Sequence, residues 1–280
     1  QDSKMHSGKM LPQAKAFLDE SDALYALVSP LSEKELSTKT AFKGWAISDV
    51  VGHLYMWNWA ANLTLTDSAA FQAFWQEVTR KAVKLGSLNG FEKAWLSEQG
   101  LSGQVLVNAW HEHYLQTAQN FGSANPSQRV KWAGPDMTVR SKITARLMET
   151  WAHGQEVYDQ LGLVRKNQDH IIENIVTLGV NTYGWTFAVR KMKPPGPLPH
   201  LKLTAPSGNV WVYGEPSEAD CVEGSAEEFC QVVTQTRNVA DTQLKVTGAT
   251  AQSWMEKAQC FAGGPETPPA PGTRKMMSKL

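Results

Sequence analysis

Glu149, His153 and Glu156 stand at i, i+4 and i+7 in the stretch RLMETWAHGQEVYDQLG, residues 146–162. A helix holds about 3.6 residues per turn, so this spacing sets the three side chains along one side. Leu147, Trp151, Tyr158 and Leu161 fall on the opposite side as a core-facing stripe. Imidazole and carboxylate are metal-ligand types, and a Glu-x-x-x-His pair holds its donors about 6 Å apart, within reach of one ion. The same pair on a solvated face would be an ordinary contact worth a few tenths of a kcal/mol. Spacing alone leaves both readings open.

His53 lies in a second helical stretch, GWAISDVVGHLYMWNWAANL, at the edge of an apolar stripe of Val50, Leu54, Trp57 and Ala61. Taken alone, it reads as a satisfied core histidine. Taken with Glu149 and His153, it completes a His₂Glu set of the kind that binds zinc and keeps one position for water or substrate. His111 and His113, in WHEHY, point about 200° away from each other on a helix and cannot share an ion there. Cys221, Cys230 and Cys260 form no CxxC pair and have no histidine beside them in sequence, so they read as small core fillers.

The elements that must position these residues follow from periodicity. Residues 9–29, the His53 stretch, SAAFQAFWQEVTRKAVKLG, and the run from Phe91 to Phe121 with a break at GLSG all read as helices. Ser48 is the N-cap candidate of the His53 helix, with Asp49 favouring the positive end of its dipole. The Glu149 helix begins near residue 137. Short connections between these helices predict an antiparallel bundle over 1–165. A helix over 168–189 follows, closed by the breaker run KPPGPLP. HLKLTAP and NVWVYGE alternate with period two around a turn and predict a hairpin. ADCVEG and TQLKVTG read as further strands, SAEEFCQVVTQTR as a helix capped by Ser225, and ATAQSWMEKAQCFAG as a closing helix. The second domain is therefore a small α+β unit over 166–263. The stretch 264–280 is rich in proline and glycine and is expected to be disordered.

Composition bounds the function. The 280 residues are 42% hydrophobic, enough for a real core, and 27 basic residues balance 27 acidic ones. No global field draws nucleic acid or an anionic membrane. No run of about 18 apolar residues appears, and the polar start QDSKMHSGKM has no signal-peptide core. With no disulfide framework, the expectation is a cytoplasmic protein, monomer or homodimer, acting on a small molecule without nucleic-acid or membrane partners.

The two site-bearing stretches resemble a known family. GWAISDVVGHLYMWNWAA is similar to the W…D…HL segment of the DinB-like metal-binding bundles, and ARLMETWAHGQEVYDQLG to their E…H…D…LG segment. The likeness is to the branch holding the mycothiol-dependent maleylpyruvate isomerases and their uncharacterised relatives. It implies a DinB-like bundle followed by a sterol-carrier-like α+β domain. It also implies metal ligands at His53, Glu149 and His153, so that the Glu–His side of the helix faces the bundle interior. The family usually has Asp where this chain has Glu156, which stands as a carboxylate beside the metal or a general base. Family members place a C-terminal-domain arginine near substrate, and Arg237 is the match, with Arg140 and Arg146 as alternatives; each also reads as a surface ion pair. The function implied is a thiol-dependent isomerase or transferase that uses a divalent metal, zinc first, and a low-molecular-weight thiol cosubstrate. A hydrolase or lyase in which Glu156 activates water is the rival enzyme, and a non-catalytic metal-dependent binding protein is the rival from another class.

Overall fold

The computed structural model describes residues 9–275. It divides into two compact units. One comprises residues up to Thr38 with Trp45–Thr150; the other comprises Lys39–Gly44 with the chain from Trp151 onward.

The first unit is helical: α1 (Pro12–Val28), α2 (Glu33–Leu36), α3 (Ile47–Thr66), α4 (Ser68–Lys84), α5 (Leu88–Glu98) and α6 (Gly103–Ser123). A two-stranded antiparallel ribbon, β1 (Arg129–Val130) with β2 (Met137–Thr138), leads into α7 (Val139–Leu161). Helix α3 packs against α4, α5 and α6, and its Val50, Val51, Leu54, Met56 and Ala60 are wholly buried. That explains its nearly all-round apolar sequence. It starts two residues earlier than expected, with Ala46 at the N-cap, and the Asp49 carboxylate accepts from the Ala46 backbone N–H at 2.8 Å. Ser48 is thus inside the first turn rather than its cap, because the acid at the third helical position satisfies the free backbone donor. Gly52 lets α5 come close, since a Cβ there would lie 2.5 Å from Leu96 Cδ1. An aromatic cluster of Trp57, Phe71, Phe74 and Phe91, flanked by Trp59, Trp75, Trp95 and Trp132, fills the space between α3, α4 and α5. Helix α7 is continuous through the division between the units, and the Thr138 hydroxyl accepts from Ser141 N–H at its start.

The second unit holds the end of α7, then α8 (Asp169–Asn181), α9 (Tyr183–Ala188), β3 (His200–Thr204), β4 (Val210–Tyr213), β5 (Cys221–Ser225), α10 (Ala226–Val233), β6 (Lys245–Thr247) and α11 (Ala249–Lys257). The expected single helix over 168–189 is two helices, because the Thr182 hydroxyl bonds back to the Leu178 and Gly179 carbonyls at the break. The sheet order is β4-β3-β5-β6, with β3 and β4 the expected hairpin and β5 parallel to β3. Leu201 and Leu203 point inward from β3, and Ser225 caps α10 by accepting from Glu228 N–H at 3.0 Å. Helix α10 packs on α8, with Phe229 and Val233 against Gly179.

Residues 264–275 correct the expectation of a disordered tail. Gln259 bonds the backbone of Gly264 and Glu266, Asn238 donates to the Pro269 carbonyl, and the Asp241 carboxylate accepts from Gly272 N–H. The segment has little apolar surface, but side chains of its own unit satisfy its backbone, and its prolines have little freedom to lose. Residues 276–280 of that stretch lie outside the described residues. Among the described residues, no helix is long and apolar enough to cross a membrane.

Candidate metal centre

His53 sits in the second turn of α3, and Glu149 and His153 lie one turn apart in the middle of α7. One donor atom from each of the three lies within 4.8 Å of the other two. The His53 Nε2 to Glu149 Oε2 distance is 3.6 Å. Two imidazoles and a carboxylate at this separation, each partly exposed, suit a single divalent ion. Aromatic rings flank the histidines: Trp45 lies 5.2 Å from His53 and Phe42 5.3 Å from His153, between ring centroids.

The other nitrogen of His53 is taken. Its Nδ1 lies 2.7 Å from Glu92 Oε1, and the same oxygen accepts from Trp57 Nε1–H at 3.1 Å. Glu92 is 1% exposed. Burial works against a charged His53, yet the charges and hydrogen bonds of Glu92 and Glu149 outweigh it and hold the imidazole up at about 9. Sequence reading missed Glu92. Its signal was present in α5, where Leu88, Phe91, Trp95 and Leu96 form an apolar stripe and Glu92 falls among them.

The remaining predicted residues occupy other positions. Glu156 is not part of the three-residue donor group; it is buried and ion-paired to Arg274. Burial pushes its carboxyl up to about 7, with Arg274 pulling the other way. Arg237 forms a two-pronged pair with Asp159, both contacts at 2.7 Å, and also donates to the Thr236 carbonyl. Burial opposes its charge, but Asp159 outweighs that and holds Arg237 above its ordinary value. Arg237 is therefore held in an ion pair, and Glu156 faces Arg274.

Of the alternative arginines, Arg140 is exposed, whereas Arg146 is buried and donates from Nε to Asn58 Oδ1 at 2.9 Å. Burial lowers Arg146 to about 10, while Glu149 and Glu92 pull it back up. One turn earlier on the same stripe, Lys142 is wholly buried with its Nζ 2.9 Å from the Trp132 ring centroid. Burial, with the Arg146 charge, pushes this amine down to about 5. Its neutral form is favoured, and the amine lies over the indole face. His111 stacks on Tyr25 while His113 lies beside Asn62 and Thr117, so the two face different partners. Burial raises the Cys230 thiol well above its usual value, as befits a core filler.

Known proteins resemble this chain in sequence and in fold. An uncharacterised protein found in two strains of Mycobacterium tuberculosis is 34% identical over 246 residues, covering 88% of this chain and 93% of that protein. The crystal structure of the mycothiol-dependent maleylpyruvate isomerase superposes with a TM-score of 0.51 at 15% identity, covering 79% of this chain and 86% of that one, a likeness of fold. A family model, the mycothiol maleylpyruvate isomerase N-terminal domain, matches residues 17–158, from α1 nearly to the end of α7. With half of its length under that model, the chain belongs to the mycothiol maleylpyruvate isomerase N-terminal domain family.

Proposed function

We propose that this protein is a thiol-dependent isomerase whose His53, Glu149 and His153 hold one divalent ion, zinc first among the candidates. The observation that carries the reading is the convergence of two imidazoles and one carboxylate to within 4.8 Å. The family and the fold neighbour, a mycothiol-dependent maleylpyruvate isomerase, point to the same chemistry. An ion in such a site supplies charge that keeps a low-molecular-weight thiol as thiolate near neutral pH.

The chain's own residues do the rest. The Nδ1–H of His53 is held by Glu92 Oε1, which leaves Nε2 as the nitrogen on the side of Glu149. In the metal-free protein His53 keeps a proton up to about pH 9, so loading the site means expelling that proton. Trp45 and Phe42 set aromatic rings beside the two histidines. Arg237 would recognise an anionic substrate only by sharing its guanidinium with Asp159. A second reading, a hydrolase or lyase, draws on Glu156: a carboxyl raised to about 7 suits a general base at neutral pH.

The test has two parts. Metal analysis of the purified protein should give about one divalent ion per chain, lost on His153→Ala. Maleylpyruvate should then turn over only when mycothiol is added. Full metal occupancy in the variant would place the site elsewhere, and turnover without any thiol would favour the second reading.

A further inference from the structure

We propose that Glu92 is the positioning carboxylate of the metal centre, fixing the tautomer and orientation of His53 so that Nε2 is its ligand atom. The inference rests on the metal reading above and adds to it a residue from a helix that contributes no ligand. Oε1 of Glu92 already accepts from the Trp57 indole, and an ionised carboxylate only accepts, so the 2.7 Å contact puts a ring hydrogen on Nδ1 of His53. Once the second proton is expelled, the lone pair is on Nε2, the nitrogen that looks toward Glu149 at 3.6 Å. A metal-ligating histidine commonly uses its second nitrogen in this way, and the negative charge behind the ring makes the ligating nitrogen a better donor.

The surroundings of Glu92 are built to hold it. Trp57, one turn after His53 on α3, donates its indole N–H to the same Oε1, so both donors come from one helix face. The close approach of α3 and α5 at Gly52 brings the carboxylate within reach. Its neighbours on the α5 stripe, Phe91 and Leu96, are core residues of the ordinary kind. Burying a carboxylate among them is costly, and packing alone would favour an apolar side chain there. A rival account makes the pair a buried staple of the fold with no bearing on metal.

The experiment uses the full chain and the variants Glu92→Gln, Glu92→Asp and Glu92→Leu. Zinc and cobalt(II) affinities are measured by competition with a chromophoric chelator, alongside the melting temperature of each metal-free protein. Glu92→Leu should weaken zinc roughly 10–100-fold, with Glu92→Gln between it and the parent and Glu92→Asp partly restoring affinity. Histidine-selective ¹⁵N NMR of the zinc-loaded parent should show His53 protonated at Nδ1 and metal-bound at Nε2. That slowly exchanging Nδ1 proton should become labile in Glu92→Leu. If Glu92→Leu fails to fold, the near-isosteric Glu92→Gln decides the matter. Zinc affinity within twofold of the parent, whether or not the melting temperature falls, overturns the inference in favour of the staple. A parent protein that binds no divalent ion overturns the metal reading itself, and this inference with it.

Discussion

Two buried acid–base pairs, one in each unit, have nearly the same geometry and opposite chemistry. Glu92 meets His53 at 2.7 Å with side chains 2% and 11% exposed; Asp159 meets Arg237 at 2.7 Å with side chains 8% and 12% exposed. An imidazole can give up its proton and offer a lone pair, whereas a guanidinium stays charged in any folded protein. The first pair can therefore keep its Nδ1–H···Oε1 bond and still offer a lone pair at Nε2, while the second is a permanent clamp. Distance and burial do not identify a functional pair; the ability of the base to lose its proton does.

The largest expected effect tests the clamp. Arg237→Ala strands Asp159, whose remaining side-chain contact among the described residues is a 3.0 Å hydrogen bond from Gln155. Removing one partner of a buried pair costs about 3–5 kcal/mol, read by urea denaturation. Replacing Arg237 and Asp159 together by leucines should cost much less. A single-variant loss below about 1 kcal/mol would break the comparison. Arg237 would then be a surface-like arginine free for substrate.

Lys142 sharpens the comparison from the other side, as a buried base facing an indole rather than an acid. Its folded value, near 5, lies below the ordinary lysine value of 10.5, so between those limits the unfolded chain binds the extra proton. Stability should rise with pH through that window. Lys142→Met removes the desolvation cost, and the variant should be more stable by a few kcal/mol at pH 7. The gain should shrink as pH climbs toward 10. A gain that stays constant with pH would mean the amine is charged in the folded protein.

Glu156 offers an intermediate case, since its arginine partner comes from the last described segment. A chain ended at Gly263 loses Arg274 and the backbone bonds of Pro269 and Gly272. The loss should be about 1–3 kcal/mol, less than for Arg237→Ala, because a carboxyl already raised to about 7 can take a proton instead. The unfolded carboxyl titrates near its ordinary 4.5, so the folded state holds the extra proton above that pH. The melting-temperature gap between truncated and full chains should widen from pH 5.5 to pH 8. A gap independent of pH would assign the loss to the backbone bonds alone.

These cases also separate what periodicity could reveal from what it could not. Glu149 and His153 share one helix face by arithmetic, and His53 stands on an all-round apolar helix, so a local reading offers them as candidates and the family resemblance nominates them as ligands. The strands of the second unit were legible because Leu201 and Leu203 alternate with exposed neighbours. Glu92 was not legible as a partner of His53, because 39 residues separate them and only the packing of α5 on α3 joins them. The Arg237–Asp159 pair was hidden for the same reason, with a separation of 78. Residues 264–275 misled because composition counts apolar groups, whereas Gln259, Asn238 and Asp241 hold that segment through its backbone.

The smallest expected effect probes how the Glu92–His53 pair is kept in place. Trp57 donates to the same oxygen as His53, and its ring also packs against Phe74, Trp75 and Trp132 at 5.8–6.3 Å between centroids. Trp57→Phe keeps an aromatic ring in that cluster but removes the indole donor. A hydrogen bond to a charged acceptor contributes about 1.5–3 kcal/mol, and His53 still holds Glu92 Oε1, so the net loss of stability should be about 1 kcal/mol. Zinc affinity should fall by less than tenfold, below the effect of Glu92→Leu, because the carboxylate and its charge remain behind the ring. If Trp57→Phe weakened zinc as much as Glu92→Leu, the direction in which Glu92 is held, rather than its charge, would govern His53. If it changed neither quantity, His53 alone would position the carboxylate, and the indole contact would be a packing coincidence.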